Sequence, residues 1–280
     1  MTYLMTYLKN FKFLSVLALS GFFAPTVYAQ NVDNTTSTSD TAYFGVAGVI
    51  TPEYLGSDDD EFLVLPYLEV NDFKGFDFFG TALTYRLIEV GTGEGIGKWS
   101  LRAGPRIAYQ RGRDSDDSPT LDGLEDVDGS LPIGGYVRST LGPVGFVVNA
   151  GRDIIDGHDG FIVDASVGTA YDGGKFGIQP SATISWGDSN YNEAFFGVSA
   201  EQSAASNLTA FDIGSGFNSY AFNVIAWYQI TDNFQLGAFA SYREFFDDAE
   251  DSPILQAPDG STNGLLAGVS LTRKFDLSKF

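Results

Sequence analysis

Trp99-Ser100-Leu101-Arg102-Ala103-Gly104-Pro105-Arg106-Ile107-Ala108-Tyr109 decides the fold. Trp99, Leu101, Ala103, Pro105, Ile107 and Tyr109 share one face. Ser100, Arg102, Gly104, Arg106 and Ala108 share the other. An apolar–polar period of two belongs to a β-strand, whose side chains alternate between faces. Phe176 to Trp186 repeats the pattern: Phe176, Ile178, Pro180, Ala182, Ile184 and Trp186 oppose Gly177, Gln179, Ser181, Thr183 and Ser185. In a soluble sandwich the apolar face would turn to a core. In a membrane barrel it turns to lipid and carries aromatics at the two interfaces. Both stretches begin and end on an aromatic residue. That favours the membrane reading, with Trp99, Tyr109, Phe176 and Trp186 as a lipid-interface girdle.

Outward from these two, similar segments recur at 43–54, 62–70, 76–88, 131–140, 144–153, 161–171, 193–200, 217–230, 234–246 and 263–275. Asp172-Gly173-Gly174 and Thr231-Asp232-Asn233 carry hairpin chemistry. Pro105 and Pro180 cannot donate to a central ladder, so bulges are expected beside them. The expected fold is all-β: a transmembrane antiparallel up-and-down β-barrel of about twelve strands, an even number. Strict alternation of short periplasmic turns with long external loops strains that count. Connections 111–130, 154–160, 187–216 and 247–262 become external only if 193–200 does not span, which leaves an odd total. If all twelve segments span, 111–130 falls on the periplasmic side. Ten strands is the alternative.

Composition agrees. The 280 residues include 33 Gly, 24 Phe and 14 Tyr, suited to bends, strand faces and aromatic belts. There is no Cys, hence no disulfide and no thiolate ligand. Net charge is −20, which excludes the positive footprint of a nucleic-acid binder. Residues 1–29 read as a signal peptide: Lys9 and Lys12, an apolar run Phe13–Phe23, and Val27-Tyr28-Ala29 before the cut. Residues 30–42, rich in Asn, Thr and Ser, read as a flexible leader, and 43–280 as the barrel. No later segment is apolar for long enough to span as a helix, so membrane residence implies strands.

Several motifs fall in a familiar order: Pro52-Glu53-Tyr54-Leu55-Gly56-Ser57, Leu65-Pro66-Tyr67, Gly104-Pro105-Arg106 before Arg111-Gly112-Arg113, Asp156-Gly157-His158-Asp159-Gly160, Asn190 to Ser199, Gln202-Ser203-Ala204-Ala205-Ser206, and Asp251-Ser252-Pro253-Ile254. In order and spacing, over 43–275, the chain resembles the MipA/OmpV family of outer-membrane proteins, named for an MltA-interacting protein. The resemblance implies an outer-membrane barrel of a Gram-negative cell, with lipid and lipopolysaccharide around it. It also implies a non-enzymatic scaffold role in peptidoglycan metabolism, bridging a periplasmic lytic transglycosylase and a murein synthase. The family's terminal aromatic would be Phe275, yet Asp276 to Phe280 follow it.

By parity Arg102 and Arg106 share the small-residue face, hence the lumen, with Gln179, Ser181 and Thr183 on the second strand. Charge facing lipid at the midplane would cost about 2–4 kcal/mol. These residues either line an anion-selective pore or pair with inward acids such as Asp164 and plug it. In a barrel this narrow the plug is favoured. His158, the only histidine, has Asp156, Asp159 and Ser166 nearby in sequence. A hydrolase would need them to converge, whereas Asp-Gly-His-Asp-Gly is also ordinary turn composition. No catalytic, cofactor or metal residues are assigned. The acidic runs near 58–61, 114–117, 122–128 and 247–251 lack EF-hand spacing and read as solvated loop tips. Two functions remain: a scaffold, or a narrow channel for small polar solutes.

Overall fold

Alternation places the wall before any pairing is considered. In β1 (Thr41–Pro52) Phe44, Val46 and Ile50 are exposed, while Tyr43, Ala47 and Val49 between them are buried. β14 (Asn263–Asp276) does the same, with Leu265, Val269, Leu271 and Phe275 outward against Leu266, Ser270 and Thr272. One face of each strand is open to the surroundings and the other is covered by the protein itself. The computed structural model describes residues 40–92 and 98–280. The expected signal peptide and nearly all of the leader lie outside them; the first strand begins at Thr41.

The sheet closes. β14 pairs with β1 from Thr41↔Asp276 to Ile50↔Ala267, and β1 pairs with β2 (Asp60–Phe73) along its length. The ring continues through β3 (Phe76–Phe79), β4 (Ala82–Tyr85), β6 (Trp99–Ala108), β7 (Pro132–Leu141), β8 (Val144–Asp153) and β9 (Phe161–Thr169). It returns through β11 (Phe176–Gly187), β12 (Gly216–Thr231) and β13 (Phe234–Phe245) to β14, with β9 laddered to β11. β5 (Ile88–Thr92) continues β4, and β10 (Tyr171–Asp172) continues β9. The result is a closed, antiparallel, twelve-stranded barrel, all of whose neighbours run antiparallel.

The total of twelve is as expected, but two segments differ. Residues 193–200 do not form a strand: Ser189–Phe196 is helix α1 and Ala200–Ala205 is helix α2. The Asp188 side chain accepts a hydrogen bond from the Tyr191 amide and starts α1. Residues 76–88 are not one strand but a hairpin, turned at Gly80, whose φ of +60° suits glycine. The parity switches there, from Phe76 outward to Leu83 and Tyr85 outward. The hairpin supplies the strand that 193–200 does not, and the odd count disappears.

With that correction, Thr41 and Asp276 lie at one end, beside the short connections at 74–75, 142–143, 173–175 and 232–233. Connections 53–59, 109–131, 154–160, 188–215 and 246–262 lie at the other. By the usual asymmetry of such barrels the short-turn end is periplasmic and the loop end external. Segment 111–130 is therefore external, against the expectation that a twelve-stranded barrel would put it in the periplasm. Beside Pro105 the register slips by one residue, between Thr84↔Arg106 and Ile88↔Ala103, as expected of a bulge. Beside Pro180 there is no slip. Instead the partner strand breaks at Ala170, between β9 and β10.

Candidate functional site

Two structures occupy the barrel: an ionic brace in its turn-end half and a folded cap at its loop end. The brace links Asp72 near the end of β2 to Arg86 between β4 and β5, Glu89 on β5 and Arg102 on β6. Arg86 reaches Asp72 at 2.8 Å and Glu89 at 2.7 Å, and Arg102 reaches the same Glu89 at 2.7 Å. The register slip that turns Leu87 outward brings Glu89 opposite Arg102. Arg138 stands directly across from Arg102 and lies over the ring of Tyr136 at 5.9 Å. Like charges face each other there, so the flanking carboxylates and the aromatic face are what make the pair tolerable. Higher up, Arg106 and Arg243 both interact electrostatically with Asp164, which accepts a hydrogen bond from Ser185 Oγ at 2.7 Å.

The opposite wall is neutral and polar. Thr183 Oγ1 lies 2.9 Å from Ser166 Oγ and accepts from Asn223 at 3.3 Å, and Ser241 donates to Asn223 at 2.7 Å. Gln179 is buried. Ser181 shares the Thr183 face by strand parity. Arg102 and Arg106 on β6, and Gln179, Ser181 and Thr183 on β11, each fall on the less exposed face of their strand. Trp99 and Phe176 are exposed at the turn end, and Tyr109 and Trp186 stand at the loop end of the same two strands, Trp186 against Phe161.

The cap has a hydrophobic core of its own. Val127, Tyr191, Phe195, Phe196, Ile213, Phe245, Ala249 and Leu255 form one buried cluster; Tyr54, Leu121, Leu124, Val198 and Ile254 form a second. Every long connection except 154–160 contributes to one or the other, and 154–160 packs His158 beside the first. Polar ties fix the pieces. Arg113 donates to the Phe195 carbonyl at 3.0 Å, Ser252 Oγ to the Phe196 carbonyl at 2.6 Å, and Asn192 to the Gly214 carbonyl at 2.8 Å. Asp259 accepts from Ser118 Oγ at 3.0 Å and Thr120 Oγ1 at 3.1 Å. Burial pulls the Arg113 guanidinium down to about 10.

His158 belongs to this cap and not to a catalytic group. The Asp153 carboxylate accepts backbone N–H bonds from Leu131, Ile155, Gly157, His158 and Asp159, at 2.7–3.3 Å. His158 Nδ1 accepts from the Gly160 amide at 2.9 Å, and its ring meets Tyr191 edge-on at 5.0 Å. Ser166 bonds Thr183 inside the barrel, while Asp156 and Asp159 are exposed turn residues with positive φ. The triad components do not converge. Among the described residues no three His, Cys, Asp or Glu side chains gather as metal ligands.

Sequence reasoning missed the cap, Glu89 and Asp153. Period two does not report a loop that folds onto other loops. Its signal was Tyr191, Phe195 and Phe196 at helical spacing, overlapped by an apparent alternation.

This arrangement of closed wall, short turns and long external loops invites comparison. Residues 44–275 match the family described as MltA-interacting protein MipA. The chain belongs to that family. It is similar to the MltA-interacting protein of Escherichia coli K12, 29% identical over 141 residues that make up 50% of this chain and 51% of the relative. The match thus spans about half that relative's length. It is also similar to outer membrane protein Omp26La of Vibrio anguillarum, 25% identical over 70% of this chain and 72% of the relative, and to OmpV of Vibrio cholerae, 25% identical over 72% and 76%. Among solved structures, in-vitro folded OmpT of Vibrio cholerae superposes with a TM-score of 0.37 at 8% identity, covering 87% of this chain and 100% of OmpT. This MipA-family chain is an outer-membrane β-barrel.

Proposed function

We propose that this barrel is a non-enzymatic scaffold that holds a periplasmic murein enzyme at the outer membrane through its turn-end rim. The observation that carries the reading is the cap: the external mouth is filled by a packed apolar core, which a solute path would have to unpack. The brace below it consumes Arg86 and Arg102 on Glu89 and Asp72. The name of the Escherichia coli relative supports a murein-enzyme partner, and every lysine among the described residues (Lys74, Lys98, Lys175, Lys274 and Lys279) sits at the turn end, facing that compartment. Trp99, Tyr109, Phe176 and Trp186 would set the depth in the bilayer. The second reading, a narrow polar-solute channel, rests on the inner face carrying Arg102, Arg106, Gln179, Ser181 and Thr183.

The test pairs two measurements on refolded protein. Planar-bilayer recording is expected to be silent, and a purified lytic murein transglycosylase is expected to bind the detergent-solubilised barrel. Salt-proportional conductance steps together with no binding would replace the scaffold by the channel.

A further inference from the structure

Above its turn-end half the wall is interrupted beside β2. β2 pairs with β1 from Asp60 to Asn71, but with β3 only at Glu69, Val70 and Phe73. The β3–β4 hairpin turns at Gly80-Thr81, and on its other side Thr81 is tied to Tyr109, just past the end of β6. Barrel strands tilt by about 35–45°. The hairpin tip is therefore flush with β6 yet stops well short of the upper end of β2. The edge from Phe62 to Pro66 has no strand beside it.

Three independent features agree. Phe62 and Val64 are 66% and 63% exposed, against 49% for Ile50 and 47% for Val46 on the adjoining strand. Pro66, which has no N–H, sits in this stretch, and a proline inside a strand is characteristic of an edge. Among the described residues no backbone hydrogen bond joins 62–66 to any loop. Above, the gap is crossed by the Arg111–Glu61 ion pair. The outcome is a window bounded by β2, the hairpin tip, Tyr109 and that ion pair, opening toward the outer leaflet.

What lies behind it is unusual for the inside of a membrane barrel, which is ordinarily polar. Leu63, Leu65 and Tyr67 turn inward from β2 and pack with Val49, Leu266 and Phe239. The lipid-facing belt of Phe62, Val64 and Ile50 thus continues around the β2 edge onto an apolar shelf inside.

We propose that this window is a binding site for one acyl chain of an outer-leaflet lipid, lying across the β2 edge against Leu63 and Tyr67, the partly buried β2 members of that apolar shelf. Continuity with the lipid belt selects that occupant. A strand from a second copy does not fit. Two barrels of the same orientation present β2 edges that run the same way and tilt oppositely, so they cross at about 70–90° and cannot ladder. Pro66 also interrupts any added strand. Backbone at membrane depth persists where it lines protein or water, so this site requires the edge amides of 62–66 to be solvated from the lumen side.

The full chain, refolded into bilayers containing a lipid with a photoreactive group near the end of one acyl chain, tests the site by residue-level mapping of adducts. Adducts are expected on Leu63, Leu65 or Tyr67 as well as on the outward Phe62 and Val64. Adducts confined to outward residues would overturn the proposal. A second variant, lengthened by four residues in each arm of the β3–β4 hairpin, should fill the gap. It is expected to lose the inward adducts and keep the outward ones. Unchanged inward labelling in that folded variant would also overturn it.

Discussion

His158 is held neutral by two features at once. Its Nδ1 accepts the Gly160 amide, so the ring proton is on Nε2, and that atom is buried without a hydrogen-bond partner. Burial lowers its pKa below the ordinary value, more than the nearby carboxylates of Asp153, Asp188 and Asp159 raise it. A proton arriving on Nδ1 would confront the Gly160 N–H. Since the folded pKa lies below the unfolded one, the unfolded chain binds more protons between the two. Stability is complete above the ordinary histidine value of about 6.5 and falls as the pH drops below it. Hydrogen exchange of the Gly160 amide should accelerate as the pH falls below about 6.5, beyond its intrinsic pH dependence. In His158→Phe, which keeps the aromatic packing and removes the titration, that added slope should vanish. An identical slope in both proteins would assign the effect to neighbouring acids. The residue's isolation in the sequence said nothing of this role. Five backbone amides converging on Asp153 build the turn, and a lone aspartate gives no pattern from which to read that.

Strands were legible where both faces kept one environment along their whole length. Trp99–Ala108 and Phe176–Gly187 meet lipid on one side and polar lumen on the other, so their period of two survives intact. It misled where the environment changed. Ala194, Phe196 and Val198 alternate like a strand, yet Tyr191, Phe195 and Phe196 are buried together in the cap and a helix serves them better. In 76–88 the apolar residues look continuous, and the evidence for a turn is the parity switch across Gly80-Thr81. Gly80 adopts the left-handed conformation at φ +60°. A β-branched residue there is strained, whereas asparagine tolerates the region. Gly80→Val should destabilise the barrel by about 1–2 kcal/mol, and Gly80→Asn by much less, read as the shift in urea unfolding midpoint in micelles. Equal losses for both would mean that the hairpin's tight contacts, not its backbone sign, set the cost.

At the scale of the molecule the cap and the brace are two barriers in series, built from different physics. The cap is apolar packing between long loops at the external end. The brace is a chain of charge-assisted contacts, Asp72–Arg86–Glu89–Arg102, toward the periplasmic end. Truncating a buried Phe costs about 3–5 kcal/mol locally, enough to loosen one cluster without reaching the β-ladders. Phe195→Ala should therefore unpack the cap and leave the brace in place. Removing the shared partner of two ion pairs strands the one that has no other, so Glu89→Ala frees Arg102 and leaves Arg86 on Asp72 alone, without disturbing the loops. Each single variant is expected to remain silent in planar-bilayer recording, because the second barrier still blocks the lumen. The double variant Phe195→Ala with Glu89→Ala is expected to conduct. The released Arg102 should make its current prefer anions, measured as a reversal potential in a salt gradient. Conductance from Phe195→Ala alone would show that the brace leaves a water path, making the cap the sole gate. A silent, folded double variant would locate the block instead at the level of Arg106, Arg243 and Asp164, where the lumen's charges meet across the barrel.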